Sequence, residues 1–101
     1  MTFEIVIEQA RVDKINSFNE KSRRIIRAKL ISLGDNPYPG HRGDKEKFSF
    51  KDGYILYRLH ISRTWTAFYR VYDEEKIVKI LEVMTIEQAH KKFGHFRSFS
   101  G

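Results

Sequence analysis

The sequence has no cysteine among its 101 residues, and this absence removes several kinds of chemistry. Disulfide frameworks, thiolate metal sites and cysteine nucleophiles are excluded, and such a composition suits a reducing compartment. No apolar run approaches the ~20 residues that a membrane helix needs, and the first four residues do not begin a signal peptide. We therefore expect a soluble protein of the cytoplasm that has no membrane partner.

Glycine and proline are also scarce, with six and two residues, respectively. Both prolines and three of the glycines fall within residues 34–47, which we predict to be the longest irregular segment. The glycine-rich P-loop and dinucleotide fingerprints are missing, as is the metalloprotease motif. The four histidines show no i, i+4 pairing that would suit zinc. We therefore expect neither a metal nor a small-molecule cofactor.

Basic residues are in excess, since 19 lysines and arginines face 13 acids and the net charge is +6. The positive charges cluster on one predicted helix and near the C-terminus: Lys21, Arg23, Arg24 and Arg27, then His90, Lys91, Lys92, His95 and Arg97. This clustering favours nucleic acid or an acidic protein as the partner. The alternative is a charge surplus that serves only solubility.

Hydrophobic periodicity predicts an α+β fold in a single domain over residues 1–94, with a flexible tail over residues 95–101. The predicted elements are a strand over 2–8, two helices ending near Gly34, strands over 47–50, 54–61, 65–72 and 76–84, and a helix over 86–93. Asn19 or Ser22 is expected to cap the second helix, and Thr85 the last. The order β-α-α-β-β-β-β-α predicts a mostly antiparallel sheet packed on the N-terminal helical pair. The other face should be open or lightly covered by the terminal helix.

The strand over residues 54–61 carries the most informative pattern in the chain. Its alternation sends Tyr57, Leu59 and Ile61 to one face and Leu56, Arg58 and His60 to the other. Burial explains the first set. A guanidinium and an imidazole on the second face suit a phosphate-bearing ligand, and the imidazole adds proton transfer near neutral pH. The alternative is an ordinary solvated face.

The next two strands extend this basic face. Alternation places Arg70 on the same side as Arg58 and His60, with Arg63 at the hairpin tip. Glu82 on the following strand is the expected carboxylate between the two arginines. It could belong to a catalytic site, or Arg58, Arg70 and Glu82 could form a structural ion-pair network.

Such a cluster has the groups needed to cleave RNA without a metal. Attack by the 2′-hydroxyl on the adjacent phosphate requires a base, cations that stabilise the pentacoordinate anion, and an acid for the leaving oxygen. His60 or Glu82 is the candidate base, Arg58 and Arg70 are the candidate anion clamp, and His90 or His60 is the candidate acid. Further nucleic-acid contacts are assigned to Arg63, Lys91 and Lys92.

Residues 2 to about 94 resemble the RelE/ParE superfamily of toxins from type II toxin–antitoxin pairs. The resemblance rests on the order of the elements, on Asn36-Pro37 after the helical pair, and on three strands. Those strands read Tyr57-Arg58-Leu59-His60-Ile61, Phe68-Tyr69-Arg70-Val71-Tyr72-Asp73 and Val78-Lys79-Ile80-Leu81-Glu82-Val83.

Resemblance to the RelE branch implies an endoribonuclease that acts on mRNA in the ribosome and is held inactive by an antitoxin. Arg58 and His60 match the basic pair of that branch. Thr66 stands where many nuclease members have an arginine, and Phe93 stands where the terminal helix would supply a tyrosine. These departures keep two alternatives open, a ParE-like inhibitor of DNA gyrase and a catalytically inactive nucleic-acid-binding relative.

The expected protein partner is an acidic antitoxin. A disordered acidic segment that folds on binding suits a rigid basic surface, because the partner bears the ordering cost. We expect it to lie over the helical pair or over the open sheet face.

Overall fold

The computed structural model describes residues 2–93, so the predicted tail and the predicted helix stop at Gly94 lie outside the described residues. Its elements are β1 Glu4–Ile7, α1 Gln9–Asn16, α2 Glu20–Ser32, β2 Lys45–Ser49, β3 Ile55–His60, β4 Trp65–Tyr72, β5 Ile77–Thr85 and α3 Ile86–Phe93. The predicted α+β class and element order are confirmed. The longest helix in the described range has 13 residues and carries six charged side chains, so none there is suited to crossing a bilayer.

The five strands form one sheet in the order β1-β5-β4-β3-β2. Consecutive hairpins make β2, β3, β4 and β5 antiparallel to their neighbours, whereas β1 pairs in parallel with β5. The chain between β1 and β2 forms α1 and α2, which cover one face and carry the backbone to the opposite edge. The strand with the basic pattern, β3, is therefore internal, and β2 is an edge strand.

The face under α1 and α2 holds the main core. The Asn19 side chain accepts a hydrogen bond from the Ser22 backbone N–H at 2.8 Å, which confirms Asn19 as the cap of α2. From α2 and the turn after it, Ile26, Leu30 and Leu33 are buried against inward residues of the sheet: Tyr57, Leu59, Ala67, Tyr69, Val78, Ile80 and Val83. The alternation predicted for β3 and β4 is confirmed.

The opposite face has a smaller core of its own under α3. Leu56, Phe68 and Met84 of the sheet are buried with Ala89 of the helix. Reciprocal hydrogen bonds begin α3: the Gln88 N–H donates to Thr85 Oγ1 at 3.1 Å, and the Thr85 N–H donates to Gln88 Oε1 at 3.0 Å. The predicted cap at Thr85 is confirmed, and α3 is a packed layer over part of this face.

Two local features differ from the simple alternation. Strand β2 begins at Lys45 rather than at residue 47 and ends before Phe50, whose N–H donates to the Tyr54 carbonyl across the turn at 2.9 Å. Between β4 and β5, Phe68 pairs with Glu82 and Tyr69 pairs with Ile80. Leu81 therefore has no partner on β4 and forms a bulge in β5. Both features decide which carboxylates reach the basic face.

Candidate functional site

A short charged contact on the face under α3 joins β3 to the edge strand. His60 Nε2 lies 2.6 Å from Glu46 Oε1, and the two side chains are 36% and 45% exposed. An ionised carboxylate has no proton to give, so the imidazole Nε2–H is the donor. The other ring nitrogen, Nδ1, is then the one that can take a proton from a ligand.

The backbone register explains this pairing. Glu46 is directly opposite Arg58, and Lys45 is opposite Leu59, so Glu46 is diagonal to His60 on one face. The His60 N–H donates to the Asp44 carbonyl at 2.7 Å, which fixes the end of β3 against the start of β2. The carboxylate, the guanidinium and the imidazole therefore occupy one corner of the sheet.

Arg58 is held by a side chain on the neighbouring strand. Its Nε–H donates to Thr66 Oγ1 at 3.0 Å, and the Thr66 hydroxyl donates to the Leu59 carbonyl at 2.9 Å. Thr66 is completely buried, so this arrangement is rigid. Arg58 Cζ also lies 5.8 Å from the centre of the Phe68 ring. Thr66, which stands where the resemblance would place an arginine, therefore positions the arginine of β3.

This corner can perform acid–base chemistry on an anionic substrate. A carboxylate that holds an imidazole stabilises the imidazolium that forms after proton transfer. A fixed guanidinium beside it can bind a phosphoryl group and stabilise developing negative charge.

Arg70 shares the sheet face but is directed away from this corner. In the β3–β4 register it is diagonal to Arg58. Its guanidinium carbon lies 4.2 Å from the centre of the Tyr54 ring and 5.5 Å from that of Tyr72. Arg58 leans toward Thr66, in the opposite direction along the strands. The predicted double-arginine clamp is therefore spread over two places on the face.

The bulge puts Glu82 opposite Phe68 on the face under α3, and its side chain is directed to the helices. Its carboxylate lies 3.2 Å from Lys14 Nζ and 3.5 Å from Arg11 Nε of α1, and 4.0 Å from Lys92 Nζ of α3. Arg70 takes part in no ion pair within residues 2–93. The predicted network of Arg58, Arg70 and Glu82 is therefore not formed at Arg70, and Glu82 ties α1 to α3.

The remaining predicted residues lie at the margins of the face. Arg63 is exposed in the β3–β4 turn, and His90 is exposed on α3. Lys91 pairs with Glu87 at 3.6 Å on the outer side of the same helix.

Glu46 is the site residue that the sequence interpretation missed. The signal was the alternation Lys45-Glu46-Lys47-Phe48, which puts Glu46 on the same face as Phe48 once β2 begins at residue 45. Within residues 2–93, no group of three or more side chains could hold a metal ion.

The perturbed titratable groups belong to the other face. Burial, and next the nearby Tyr57 and Asp44, raises the pKa of Tyr69, and burial also raises the pKa of Tyr57. The Tyr69 hydroxyl donates to the Pro37 carbonyl at 2.6 Å, and its ring stacks on Tyr57 with centres 5.4 Å apart. These tyrosines anchor the loop after α2 and take no part in the corner.

Comparison with known proteins identifies the family of this chain. The family model described as the ParE toxin of the type II toxin–antitoxin system parDE matches residues 9–89. The chain belongs to the ParE toxin family. No curated protein matches this toxin significantly.

Solved structures share the fold of the toxin at low sequence identity. The toxin is similar to the archaeal RelE of a RelE–RelB complex from Pyrococcus horikoshii, with 24% identity, a TM-score of 0.69 and coverage of 84% of this chain and 96% of that one. It is also similar to the RelBE2 toxin–antitoxin complex from Mycobacterium tuberculosis, with 14% identity, a TM-score of 0.67 and coverage of 84% and 99%. It is similar as well to a mutant of E. coli RelE in the free state, with 17% identity, a TM-score of 0.59 and coverage of 98% of this chain and 94% of that one. The RelE-like fold is thus shown for the toxin.

Proposed function

We propose that this toxin cleaves mRNA on the ribosome by a metal-independent phosphoryl transfer. The observation that carries the proposal is the contact between His60 and Glu46 beside Arg58, on a partly exposed corner of the sheet. The positive charge of +6 supports a polyanionic substrate. The fold shared with RelE supports mRNA on the ribosome as that substrate.

In the proposed reaction the three side chains have separate roles. His60 Nδ1 removes the proton of the 2′-hydroxyl, and Glu46 stabilises the resulting imidazolium through Nε2. The 2′-oxygen bonds to phosphorus while the bond to the 5′-oxygen breaks, which leaves a 2′,3′-cyclic phosphate. Arg58 stabilises the pentacoordinate anion. The leaving oxygen takes a proton from the His60 imidazolium or from His90.

The test is to incubate the purified toxin with translating ribosomes and to map the new mRNA ends. His60→Gln should lower the single-turnover rate by about 10²–10⁴-fold, the usual contribution of a general base. Glu46→Gln should produce a smaller loss, because it removes only the orienting charge. Lys47→Gln is the matched control, since it alters the neighbouring side chain on the opposite face. Cleavage at the wild-type rate by both His60→Gln and Glu46→Gln would exclude this mechanism.

Inhibition of DNA gyrase is the second candidate function. The observation that favours it is the match to the ParE toxin family over residues 9–89. A supercoiling assay separates the two proposals. Gyrase inhibition that His60→Gln leaves unchanged, together with intact mRNA, would assign the toxin to this second function and end the first.

We also propose an acidic antitoxin as the partner, as in the RelE–RelB complexes of the structural neighbours. A groove of about 180 Å³ between β1 and the two N-terminal helices suits an amphipathic segment of the antitoxin. Its lining is mostly apolar: Ile5, Ile7, Val12, Ile15, Leu30 and Ile31, with Asn16 and Arg27 beside them. Arg27 hydrogen-bonds to Asn16 at this groove and places a positive charge there.

Binding of the antitoxin should reveal which contribution dominates. If charge dominates, the association constant falls steeply with salt. Ile31→Asp should weaken the complex in either case, because it puts a charge on the apolar lining, and Lys47→Asp on the opposite sheet edge is the matched control. Equal binding by both variants would exclude the groove.

A further inference from the structure

We infer that the toxin has a second subsite on the face under α3, which binds one nucleotide of single-stranded RNA through Tyr54, Tyr72, Arg70 and Lys79. This subsite lies at the opposite end of the strands from His60 and Glu46. The inference deepens the proposed action on RNA and rests on it.

The first observation is an uncompensated pair of cations. Arg70 and Lys79 are directly opposite each other on β4 and β5. Like charges in that position destabilise a sheet unless an anion lies between them. Neither side chain makes an ion pair within residues 2–93, not even with Glu4, which lies diagonal to Lys79 in the register of β1 and β5.

The second observation is the unused hydrogen-bonding capacity of Arg70. Its guanidinium makes no hydrogen bond with the part of the chain that the structure describes, and its Nε is buried without a partner. Arginine normally uses its planar set of donors on carboxylates or phosphates. The geometry therefore leaves the Nη groups of Arg70 to a ligand, with Lys79 as the second cation.

The third observation identifies the ligand as a nucleotide. The Arg70 guanidinium carbon lies over two aromatic rings, 4.2 Å from the centre of the Tyr54 ring and 5.5 Å from that of Tyr72. Tyr54 remains 37% exposed, although it is a large aromatic residue on a sheet face. Aromatic side chains beside cations form stacking platforms for bases of single strands. A simple carboxylate ligand would need the cations and would gain nothing from the rings.

The surrounding charges set the direction of the bound strand. Asp73, Glu74 and Glu75 occupy the β4–β5 turn just beyond Tyr72 and repel phosphates there. Tyr54 immediately precedes β3, and Arg58 lies four residues further along the chain, about 13 Å away. The RNA therefore runs inward from Tyr54 toward Arg58 and His60, so that the subsite holds a nucleotide flanking the cleaved phosphate.

The test measures binding apart from cleavage. The probe is a short, fluorescein-labelled single strand of 2′-O-methyl RNA, which lacks the nucleophilic hydroxyl. Tyr54→Leu should weaken binding roughly 5- to 100-fold, the usual effect of losing one base stack. Lys79→Gln should reduce the steepness of the salt dependence by about 0.7 in the log–log slope, as expected when one phosphate contact with a single strand is lost.

Matched controls separate a subsite from a general loss of charge or of folding. Lys47→Gln removes the same charge from the other face and should leave the slope unchanged. Lys79 is a partly exposed strand residue, so its conservative replacement keeps the fold, and circular dichroism verifies this. Wild-type affinity in Tyr54→Leu together with a wild-type slope in Lys79→Gln would overturn the inference.

Two further experiments distinguish a failure of the subsite from a failure of the proposed function. A poly-glutamate peptide whose binding depends on Lys79 while RNA binding does not would assign the cluster to an acidic protein and overturn the inference. In His60→Gln, which should fail to cleave ordinary RNA, binding of the probe should still depend on Tyr54 and Lys79. If His60→Gln still cleaves, the catalytic proposal fails, whereas the binding results for Tyr54→Leu and Lys79→Gln still decide the subsite.

Discussion

The two faces of the sheet are built on the same strands but serve different ends. The face under α1 and α2 holds the main core, whose buried side chains come from β3, β4, β5 and both helices, with partly buried residues of β1 packed against them. The face under α3 combines a small apolar cluster with charged residues that hold fixed positions. Neighbouring residues on β3 therefore belong alternately to the core and to the proposed catalytic corner, and substitutions can separate the two.

The largest expected effect is on the stability of the helix-covered face. Leu59 is 1% exposed, so Leu59→Ala should lower the free energy of unfolding by about 2–5 kcal/mol through lost burial and a cavity. Met84→Ala in the cluster under α3 should cost less, because that cluster is small and lies beside a short helix that can shift. Urea unfolding measures both, and equal losses would contradict the difference between the two cores.

Arg58→Ala, one residue away, should have the opposite outcome. Removing this donor should lower mRNA cleavage by about 10²–10³-fold, because its charge acts on the transition state. The free energy of unfolding should change by no more than about 1 kcal/mol, since the side chain is partly exposed. Lys47→Ala provides the charge-matched control for the rate. Loss of folding in Arg58→Ala would show that the two faces are not separable.

Tyr69→Phe tests how the stability of the face under α1 and α2 depends on pH. The variant loses the hydroxyl that donates to Pro37, and leaving that carbonyl unpaired costs about 1–3 kcal/mol at neutral pH. Burial raises the pKa of Tyr69 above its value near 10 in the unfolded chain. Above that pH, the folded protein therefore keeps the phenol proton that the unfolded chain releases. The wild-type stability is therefore fully present below pH ~10 and falls above it. Tyr69→Phe should show a shallower alkaline decline in denaturant titrations, with Tyr57 supplying the remainder.

The smallest expected effect concerns the turn that joins β4 to β5. Lys76 has a φ of 58°, a left-handed conformation that a side chain makes costly. Its ammonium also lies 5.3 Å from the centre of the Phe3 ring. Lys76→Gly and Lys76→Ala both lose that contact, so their difference isolates the backbone. Glycine should be more stable than alanine by about 1 kcal/mol in thermal unfolding, and the reverse order would refute this strain.

The helices, the caps and the faces of the central strands were predictable because each depends on local periodicity. Asn19 and Thr85 cap their helices as expected, and β4 has the predicted bounds. Side-chain direction was not predictable, since alternation assigns a face but not a rotamer. This is why the separation of Arg70 from Arg58 required the structure.

The carboxylates were the least predictable part of the candidate site. The bulge in β5 puts Glu82 opposite Phe68, where its carboxylate pairs with Lys14, and bulges leave little trace in a hydrophobic pattern. Glu46 was missed because the start of β2 depends on its pairing with β3, which is a long-range property. The roles of Arg58, His60, Arg70, Glu82 and His90 in catalysis remain predictions, as do the RNA contacts of Arg63, Lys91 and Lys92.

The contact between His60 and Glu46 joins an internal strand to an edge strand, and this has a kinetic consequence. Edge strands open locally at lower free energy than the core does. Whenever β2 frays, Glu46 leaves and His60 loses its orientation, although the rest of the sheet stays folded. In the proposed mechanism, the fraction of molecules competent for catalysis should thus follow the closed fraction of β2, which amide hydrogen exchange along Lys45–Ser49 reports residue by residue.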